Sequence, residues 1–293
     1  MEIRDKEYLA EKGDAMKSAP EPVDLPGQEY WEQGWVGLSL PTAVDPQARS
    51  LPYSFRRIHE YMSAQIQQFG GAQGRDLIEI GCGCSQWLPY FALQHGFHVF
   101  GLDYSPTGCA QAEEILSRAG VTGTVSCRNF FATPDRQYDV LVSFGVAEHF
   151  RLTEDCIKAF AQFLRPGGMM ITETPNLSGL LGAFQKVLNR PVYDIHVPLT
   201  RKMLSLAHER AGLTVLDCRY LLSAGFTICS RPDAKAAGYA VKNVLVAGLQ
   251  KFSRLAWRID RYLPKTRLLS PYLVCTARKP PVSLLDLPSG HGS

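Results

Sequence analysis

Short β-rich runs that alternate with helical runs restrict the fold of this sequence more than any other feature. From residue 76 onward, apolar segments bounded by turn residues are followed by segments whose apolar residues recur every three or four positions. Because strands that alternate with helices form parallel units with right-handed crossovers, the pattern predicts an α/β fold with helices on both faces of a sheet. The predicted strands are 76–81, 98–103, 124–129, 138–144, 169–174, 214–222 and 272–278, and the predicted helices are 53–70, 86–95, 106–119, 153–164 and 200–212.

The segments outside this alternation divide the chain. The N-terminal segment is rich in Pro, Gly and charge and carries the aromatic cluster EYWEQGWVG, which predicts an arm or lid. The segment before the last strand is far longer than a hairpin needs, and apolar residues keep a helical period over 241–265. We therefore predict an arm over 1–52, a main domain over 53–224 and 268–280, a helical insertion over 225–267 and a flexible tail over 281–293.

Composition narrows the function classes. The chain has 293 residues, and its 31 Lys and Arg exceed its 28 Asp and Glu by only three, too few for a broad field directed at nucleic acid. We therefore expect no nucleic-acid partner. The N-terminus carries neither an apolar signal core nor an Arg-rich transit composition, and no apolar run is long enough to span a bilayer, so the expected location is the cytoplasm.

Two glycines set one residue apart, Gly81 and Gly83, follow the first predicted strand in the stretch DLIEIGCGCSQW. A dinucleotide fingerprint would need Gly or Ala at the position of Gln86, and a phosphate-binding P-loop would need a following Gly-Lys-Ser/Thr. Both phosphate interpretations are therefore weak. Cys82 and Cys84 lack a second Cys/His pair with zinc-like spacing, so we expect no bound metal.

Two carboxylates near this turn indicate which kind of ligand it binds. Glu79 precedes Gly81 by two residues, and Asp103 closes the second strand twenty residues after Gly83. An acid at the end of that strand can accept hydrogen bonds from both hydroxyls of a ribose, and a nearby carboxylate favours a cationic ligand. A ribose together with a positive charge describes S-adenosylmethionine.

With these motifs the sequence resembles the class I S-adenosylmethionine-dependent methyltransferases, in particular the small-molecule group that includes the ubiquinone-biosynthesis O-methyltransferases. The resemblance covers about 55–222 and the last strand. It depends on five motifs in order: LIEIGCGCS, VFGLDYSP, YDVLVSFGVAEHF, FLRPGGMMITETPN and HVPLTRKMLSLAHERAGLTV. It implies a doubly wound, mostly parallel seven-stranded sheet whose last strand is antiparallel, and S-adenosylmethionine as the cofactor.

The resemblance also assigns cofactor-binding residues. Glu79, Gly81, Cys82 and Gly83 would line the methionine part, and Asp103 would hold the ribose hydroxyls. The remaining assignments follow the next three strands: Tyr104, Asn129 and Phe130 at the adenine, and Phe144 and Gly145 beside the methyl group. Asn129 stands where many of these enzymes carry Asp.

Three residues are candidates for catalysis. Glu148 and His149 follow the fourth strand, where such enzymes present groups to the substrate, and His196 in YDIHVPLT matches a recurring family position. A hydroxyl acceptor reacts faster if its proton is removed as the new bond forms, and a histidine can accept that proton. The alternative is that all three residues only fix their loops.

The acceptor is not encoded in any motif. The stretch after the fourth strand reads Phe144-Gly145-Val146-Ala147, so it carries neither the Pro-Pro motif of enzymes that methylate exocyclic amines nor the Pro-Cys of those that methylate C5 of pyrimidines. A small-molecule or glycan hydroxyl is the preferred acceptor. Transfer to nitrogen or carbon, and a cofactor-binding protein without transfer activity, stay open.

The predicted helix over 241–265 carries a basic ridge beside its apolar stripe. The ridge consists of Lys251, Arg254, Arg258, Arg261 and Lys265. A solvated helix face, contact with an anionic membrane surface and attraction to a phosphorylated substrate are all compatible with it. The apolar stripe would roof the substrate pocket or form a homodimer contact.

Overall fold

A computed structural model describes residues 24–226 and 238–281. Its strands form one sheet of seven: β1 Asp76–Ile80, β2 His98–Asp103, β3 Gly123–Cys127, β4 Tyr138–Phe144, β5 Leu164–Pro175, β6 Thr214–Leu221 and β7 Tyr272–Arg278. The spatial order is β3-β2-β1-β4-β5-β7-β6. Strands β1 to β5 pair in parallel, whereas β7 runs antiparallel to both of its neighbours. The predicted doubly wound sheet with an antiparallel last strand is confirmed.

Helices cover both faces of the sheet. In chain order they are α1 Gln28–Trp35, α2 Tyr53–Gln68, α3 Trp87–His95, α4 Pro106–Arg118, α5 Thr153–Gln162, α6 Leu180–Leu188, α7 Arg190–Asp194, α8 Arg201–Arg210 and α9 Tyr239–Ala256. The side chains of β1 alternate between the two layers. Leu77 packs with α2 and α3, whereas Ile78 packs with α5. This alternation fixes the register of the central strand, because a slip of one residue would expose each apolar side chain to the wrong face.

Local chemistry sets the helix that follows β2. The Ser105 hydroxyl accepts a hydrogen bond from the Gly108 N–H at 2.9 Å, and Pro106 occupies the first helical position. The helix therefore begins where the sequence predicted, directly after Asp103 and Tyr104, and holds these two residues at the carboxyl edge of the sheet.

The structure differs from the sequence prediction in five elements. Helices α1, α6 and α7, which have eight, nine and five residues, were not predicted. Strand β5 begins five residues before the predicted 169–174. The predicted single helix over 241–265 is wrong in length: α9 ends at Ala256, and a 3₁₀ segment, Trp257–Tyr262, follows where the buried Asp260 carboxylate accepts a hydrogen bond from the Ser223 N–H at 2.6 Å.

Some predictions lie partly outside the described residues. These are the first part of the arm, 1–23, part of the insertion, 227–237, and nearly all of the predicted tail, 282–293. Within the described residues, none of the helices combines the length and the apolar character needed to cross a bilayer.

Candidate functional site

The strand order reverses between β1 and β4, which lie side by side although the chain reaches β4 last among the first four strands. In open α/β sheets ligands bind in the crevice beyond the carboxyl ends of the strands at such a point. A cavity of about 220 Å³ lies there. Its walls come from the turn after β1, the end of β2, the loop after β4 and the N-terminal arm.

The turn after β1 has a backbone that requires glycine. Gly81 has a φ of +79°, in the left-handed region, and its N–H donates to the Leu102 carbonyl at 2.8 Å. A Cβ on Gly83 would lie 3.0 Å from Asp103 Oδ2 and 3.2 Å from the Trp35 ring. The two glycines therefore bring backbone next to Asp103 and the cavity.

Asp103 is held from two sides. Its Oδ2 accepts a hydrogen bond from the Gly83 N–H at 2.9 Å, and its Oδ1 accepts one from the Ser105 N–H at 2.9 Å. Burial raises the pKa of Asp103, while these backbone donors act in the opposite direction. Each carboxylate oxygen keeps a further lone pair for a ligand hydroxyl, and the residue lines the cavity.

Glu79 lies buried on the floor of the same cavity. Both of its oxygens are within reach of the Ser85 hydroxyl, at 2.7 and 2.9 Å. Burial raises the pKa of Glu79 to about 8, and the Ser85 hydrogen bond lowers it only in part. A cationic ligand beside Glu79 would stabilise its ionised form.

The arm forms one wall of the cavity. Tyr104 Oη donates to Asp24 Oδ2 at 2.6 Å, and Trp31 Nε1 donates to the same oxygen at 3.1 Å. Trp31 also meets the His149 ring edge-on, with centroids 5.1 Å apart, and stacks with Trp35. Asp24, Trp31 and Trp35 all line the cavity, although no sequence motif distinguished them from packing residues.

Most of the cofactor residues that the sequence predicted meet at this cavity. Those that line it are Glu79, Gly81, Gly83, Asp103, Tyr104, Phe130, Phe144 and Gly145. Cys82 and Asn129 lie outside the lining. The Cys82 side chain is fully buried against the Gly101 backbone, and exposed Asn129 turns its Oδ1 toward the Phe131 N–H, at 3.0 Å.

A second cavity, of about 280 Å³, adjoins the first. Gly145 and His149 line both cavities, so the two cavities adjoin at these residues at the end of β4. The second cavity combines an apolar wall with two carboxyl and two imidazole side chains, those of Glu148, Glu173, His149 and His196. The three residues that the sequence singled out for catalysis are therefore brought together, and Glu173 at the end of β5 is an addition that no motif indicated.

Backbone carbonyls fix the ring nitrogens of both histidines. His149 Nδ1 lies 2.7 Å from the Ile195 carbonyl, and His196 Nδ1 lies 2.6 Å from the Val192 carbonyl. Since a carbonyl only accepts, Nδ1 carries the hydrogen in each ring and Nε2 keeps a lone pair. The rings lie 4.4 Å apart between centroids. Burial, and then the neighbouring His196, lowers the pKa of His149 to about 3, so the ring is neutral.

Two carboxylates in the second cavity have an oxygen without a partner. Glu148 Oε2 and Glu173 Oε1 are buried and accept no hydrogen bond. Burial raises the pKa of Glu148 well above its usual range and that of Glu173 to about 8. No Lys or Arg within 24–226 and 238–281 forms an ion pair with either residue. A cation bound beside these carboxyls would favour their ionised forms.

Comparisons with known proteins agree with this geometry. A family model described as a methyltransferase domain matches residues 54–217, more than half of the chain. A ubiquinone biosynthesis O-methyltransferase of Aeromonas salmonicida is 27% identical over 179 residues, which cover 56% of this chain and 74% of that protein. A protein of Mycolicibacterium smegmatis named as a probable S-adenosylmethionine-dependent methyltransferase is 31% identical over 167 residues, which cover 56% of this chain and 61% of that one.

Solved structures share the fold. Geranyl diphosphate C-methyltransferase from Streptomyces coelicolor, solved with S-adenosyl-L-homocysteine, superposes with a TM-score of 0.53 at 15% identity, covering 86% of this chain and 97% of that one. Coclaurine N-methyltransferase, also solved with S-adenosyl-L-homocysteine, gives a TM-score of 0.54 at 12% identity, covering 80% and 75%. At these identities the likeness shows the fold alone, and proteins named for transfer to carbon and to nitrogen share it.

Proposed function

We propose a methyl transfer to oxygen for this chain, which belongs to the class I S-adenosylmethionine-dependent methyltransferases. In this proposal the methyl group of the cofactor goes to a hydroxyl oxygen of a small molecule or glycan in the second cavity. One observation carries this proposal. The two cavities meet at Gly145 and His149, so a cofactor in the first and an acceptor in the second would face each other there.

The cofactor roles follow from the contacts of the first cavity. Asp103 would accept hydrogen bonds from the ribose hydroxyls, and Tyr104 and Phe130 would contact the adenine. Glu79 would lie at the cationic methionine part, and the glycines would let backbone approach it. The wall formed by Trp31 and Trp35 would exclude water from the sulfonium.

The reaction is an in-line displacement. The acceptor oxygen attacks the methyl carbon, the bond from that carbon to sulfur breaks, and S-adenosylhomocysteine leaves as a neutral thioether. The hydroxyl proton is released to solvent. An alcohol or phenol needs help to lose this proton, whereas a neutral amine does not, because its lone pair is already free.

Hydroxyl oxygen is favoured by the two imidazole lone pairs at the second cavity. His149 and His196 each keep a lone pair on Nε2 and, in these tautomers, neither Nε2 can donate toward a substrate oxygen. Such a set interacts with the proton of a hydroxyl or with a cation. Transfer to nitrogen or carbon and binding without transfer are the competing outcomes.

The test is to incubate the purified chain with methyl-labelled S-adenosylmethionine and a panel of phenols, sugars and amines. We expect label in an O-methyl product and one S-adenosylhomocysteine formed per methyl transferred, with the methylated atom assigned by NMR. Label found only in N-methyl or C-methyl products would contradict transfer to oxygen. Cofactor binding without turnover on the whole panel would favour a non-catalytic binding protein.

We also propose a partner, an anionic membrane surface, for the outer face of α9. Val241, Val244 and Leu255 expose 75%, 74% and 61% of their surface, and none of them lines the second cavity. The opposite side of the helix packs through Val246 against α6. These residues of the apolar stripe, for which a pocket roof and a homodimer contact were the two alternatives, thus face outward.

A row of cations runs beside this exposed stripe. Lys251, Arg254 and Arg258 are exposed, and none of them forms an ion pair with a residue of the described part of the chain. An apolar stripe flanked by cations suits the surface of an anionic membrane, where apolar groups enter the headgroup region and cations meet phosphates. A symmetric dimer through the same helix would bring the two cationic rows together, which disfavours a homodimer here.

Flotation with lipid vesicles tests this partner. Vesicles that contain phosphatidylglycerol should carry the protein, whereas vesicles of phosphatidylcholine alone should not, and salt should weaken the binding. The pair Arg254→Glu and Arg258→Glu should abolish it. The pair Arg201→Glu and Lys202→Glu on α8 makes the same charge change elsewhere and should keep it. Equal binding by both double variants, or a concentration-dependent dimer without lipid binding, would refute membrane contact through α9.

A further inference from the structure

The second cavity has the chemistry of a cation site. One candidate ligand atom each from Glu148, His149 and His196 lies within 4.8 Å of the other two. His149 Nε2 and Glu148 Oε1 are 3.9 Å apart, which is too long for a hydrogen bond. Nitrogen and oxygen ligands on one divalent ion stand about 3 to 4 Å apart, so a small contraction would place these atoms on an ion.

The surroundings of the cluster prepare it for metal. Histidines that bind metal usually donate their other ring N–H to a carbonyl or carboxylate, which fixes the tautomer and aims the free nitrogen. Both histidines do this, through the Ile195 and Val192 carbonyls. Holding a loop through Nδ1 would not require a second histidine and a carboxylate beside the first histidine.

Buried carboxyl oxygens without a partner are a separate observation that points to a cation. Glu148 lines this cavity and its Oε2 is buried without a hydrogen-bond partner, and Glu173 Oε1 in the same cavity has none either. A buried polar oxygen without a partner is costly. A divalent cation bound by Glu148 would supply the missing partner and would favour the ionised carboxylate.

We propose that Glu148, His149 and His196 bind a divalent transition-metal ion, such as zinc or cobalt, which activates the acceptor hydroxyl. Two imidazoles and one carboxylate suit ions of this class, whereas magnesium prefers oxygen ligands and water. This site departs from the expectation of no metal, which considered only the spacing of the cysteines. Its position beside Gly145 places the ion on the acceptor side of the junction between the cavities.

The role of the ion, unlike its binding, depends on the proposed function. The acceptor oxygen binds the ion in an open position and loses its proton to water, because a metal-bound hydroxyl is far more acidic than a free one. The resulting oxyanion attacks the methyl carbon, and the sulfur leaves with the electron pair of the broken bond. His149 then acts as a metal ligand rather than as the base.

Metal binding is measured on the full chain without a histidine tag, after treatment with a chelator and without cofactor or acceptor. Equilibrium dialysis against zinc, and the visible absorption of added cobalt, should each give one ion per chain. His196→Ala and Glu148→Gln should each weaken binding by roughly 100-fold or more. His98→Ala removes an exposed histidine elsewhere and should bind as the wild type does.

Retained binding of S-adenosylhomocysteine shows that each variant is folded. Absence of zinc and cobalt binding by the wild-type chain, or unchanged binding by both ligand variants, would overturn the site. Methyl transfer that persists at its full rate in the chelator-treated chain would overturn the role of the ion and leave the proposed function intact. A bound ion that is lost in the ligand variants would support the site even if no acceptor in the panel were methylated.

Discussion

At the scale of single residues, the informative groups are carboxylates in unlike surroundings. Asp103 accepts hydrogen bonds from two backbone N–H groups. Glu79 is fully buried, and its hydrogen-bond donor is the Ser85 hydroxyl. Their spacing from the glycines was readable from the sequence, because both follow strands whose ends meet at one edge. The partnerless oxygens of Glu148 and Glu173 were not readable, since burial and missing donors arise only from packing.

The raised pKa of Glu79 predicts a pH dependence of cofactor affinity. In the free protein this pKa is about 8, so Glu79 is largely protonated at neutral pH. A bound cation favours the carboxylate and lowers the pKa, so binding releases a proton. Affinity should therefore rise as the pH increases from about 6 to about 8, by at most about tenfold per pH unit, and then level off.

Calorimetric titrations with S-adenosylmethionine across this pH range measure the effect. The Glu79→Gln variant cannot release the proton and serves as the control, because any titration of the cofactor itself appears in both proteins. The difference between the two slopes should be positive. Parallel slopes would mean that Glu79 does not ionise when the cofactor binds.

At the scale of elements, the arm is the part whose role the sequence left open. Three hydrogen bonds join the arm to the main domain. Gln28 Nε2 donates to the Tyr104 carbonyl at 2.7 Å, and Gln111 Nε2 donates to the Trp35 carbonyl at 2.7 Å. Just before α1, the Leu25 N–H donates to the His149 carbonyl at 2.8 Å. None of these contacts is visible in a local pattern, because each joins segments more than 70 residues apart. The arm therefore acts as a wall of the cofactor cavity.

Shortening one side chain of the arm should loosen the cofactor. Trp31→Ala removes a ring that lines the cavity and meets His149, so we expect S-adenosylhomocysteine to dissociate about tenfold faster. Stopped-flow fluorescence with a competing ligand measures this rate. Gln33→Ala on the exposed side of the same helix should leave it unchanged. A dissociation rate that Trp31→Ala does not alter would show that the arm plays no part in retaining the cofactor.

At the scale of the whole molecule, the alternation of strands and helices predicted a parallel α/β sheet and the edge at which ligands bind, and the resemblance to the methyltransferases added the antiparallel last strand. It could not predict that His149 and His196, 47 positions apart, face each other, because that depends on how the loops after β4 and β5 fold over the crevice. Nor could it predict that the apolar stripe of α9 faces outward, since helical periodicity alone does not say which of two faces is covered. The fold places two adjoining cavities beyond the carboxyl ends of the strands, and we propose that the first binds the cofactor and the second binds the acceptor.

Steady-state kinetics combined with cofactor titration, for Asp103→Ala and His149→Ala side by side, tests that division most directly. We expect Asp103→Ala to weaken S-adenosylmethionine binding at least about tenfold, because a ribose partner is lost. We expect His149→Ala to lower kcat at least about 100-fold and to change cofactor affinity far less. Equal loss of cofactor affinity in both variants, or a kcat that His149→Ala leaves unchanged, would contradict a separate acceptor cavity with His149 at its junction.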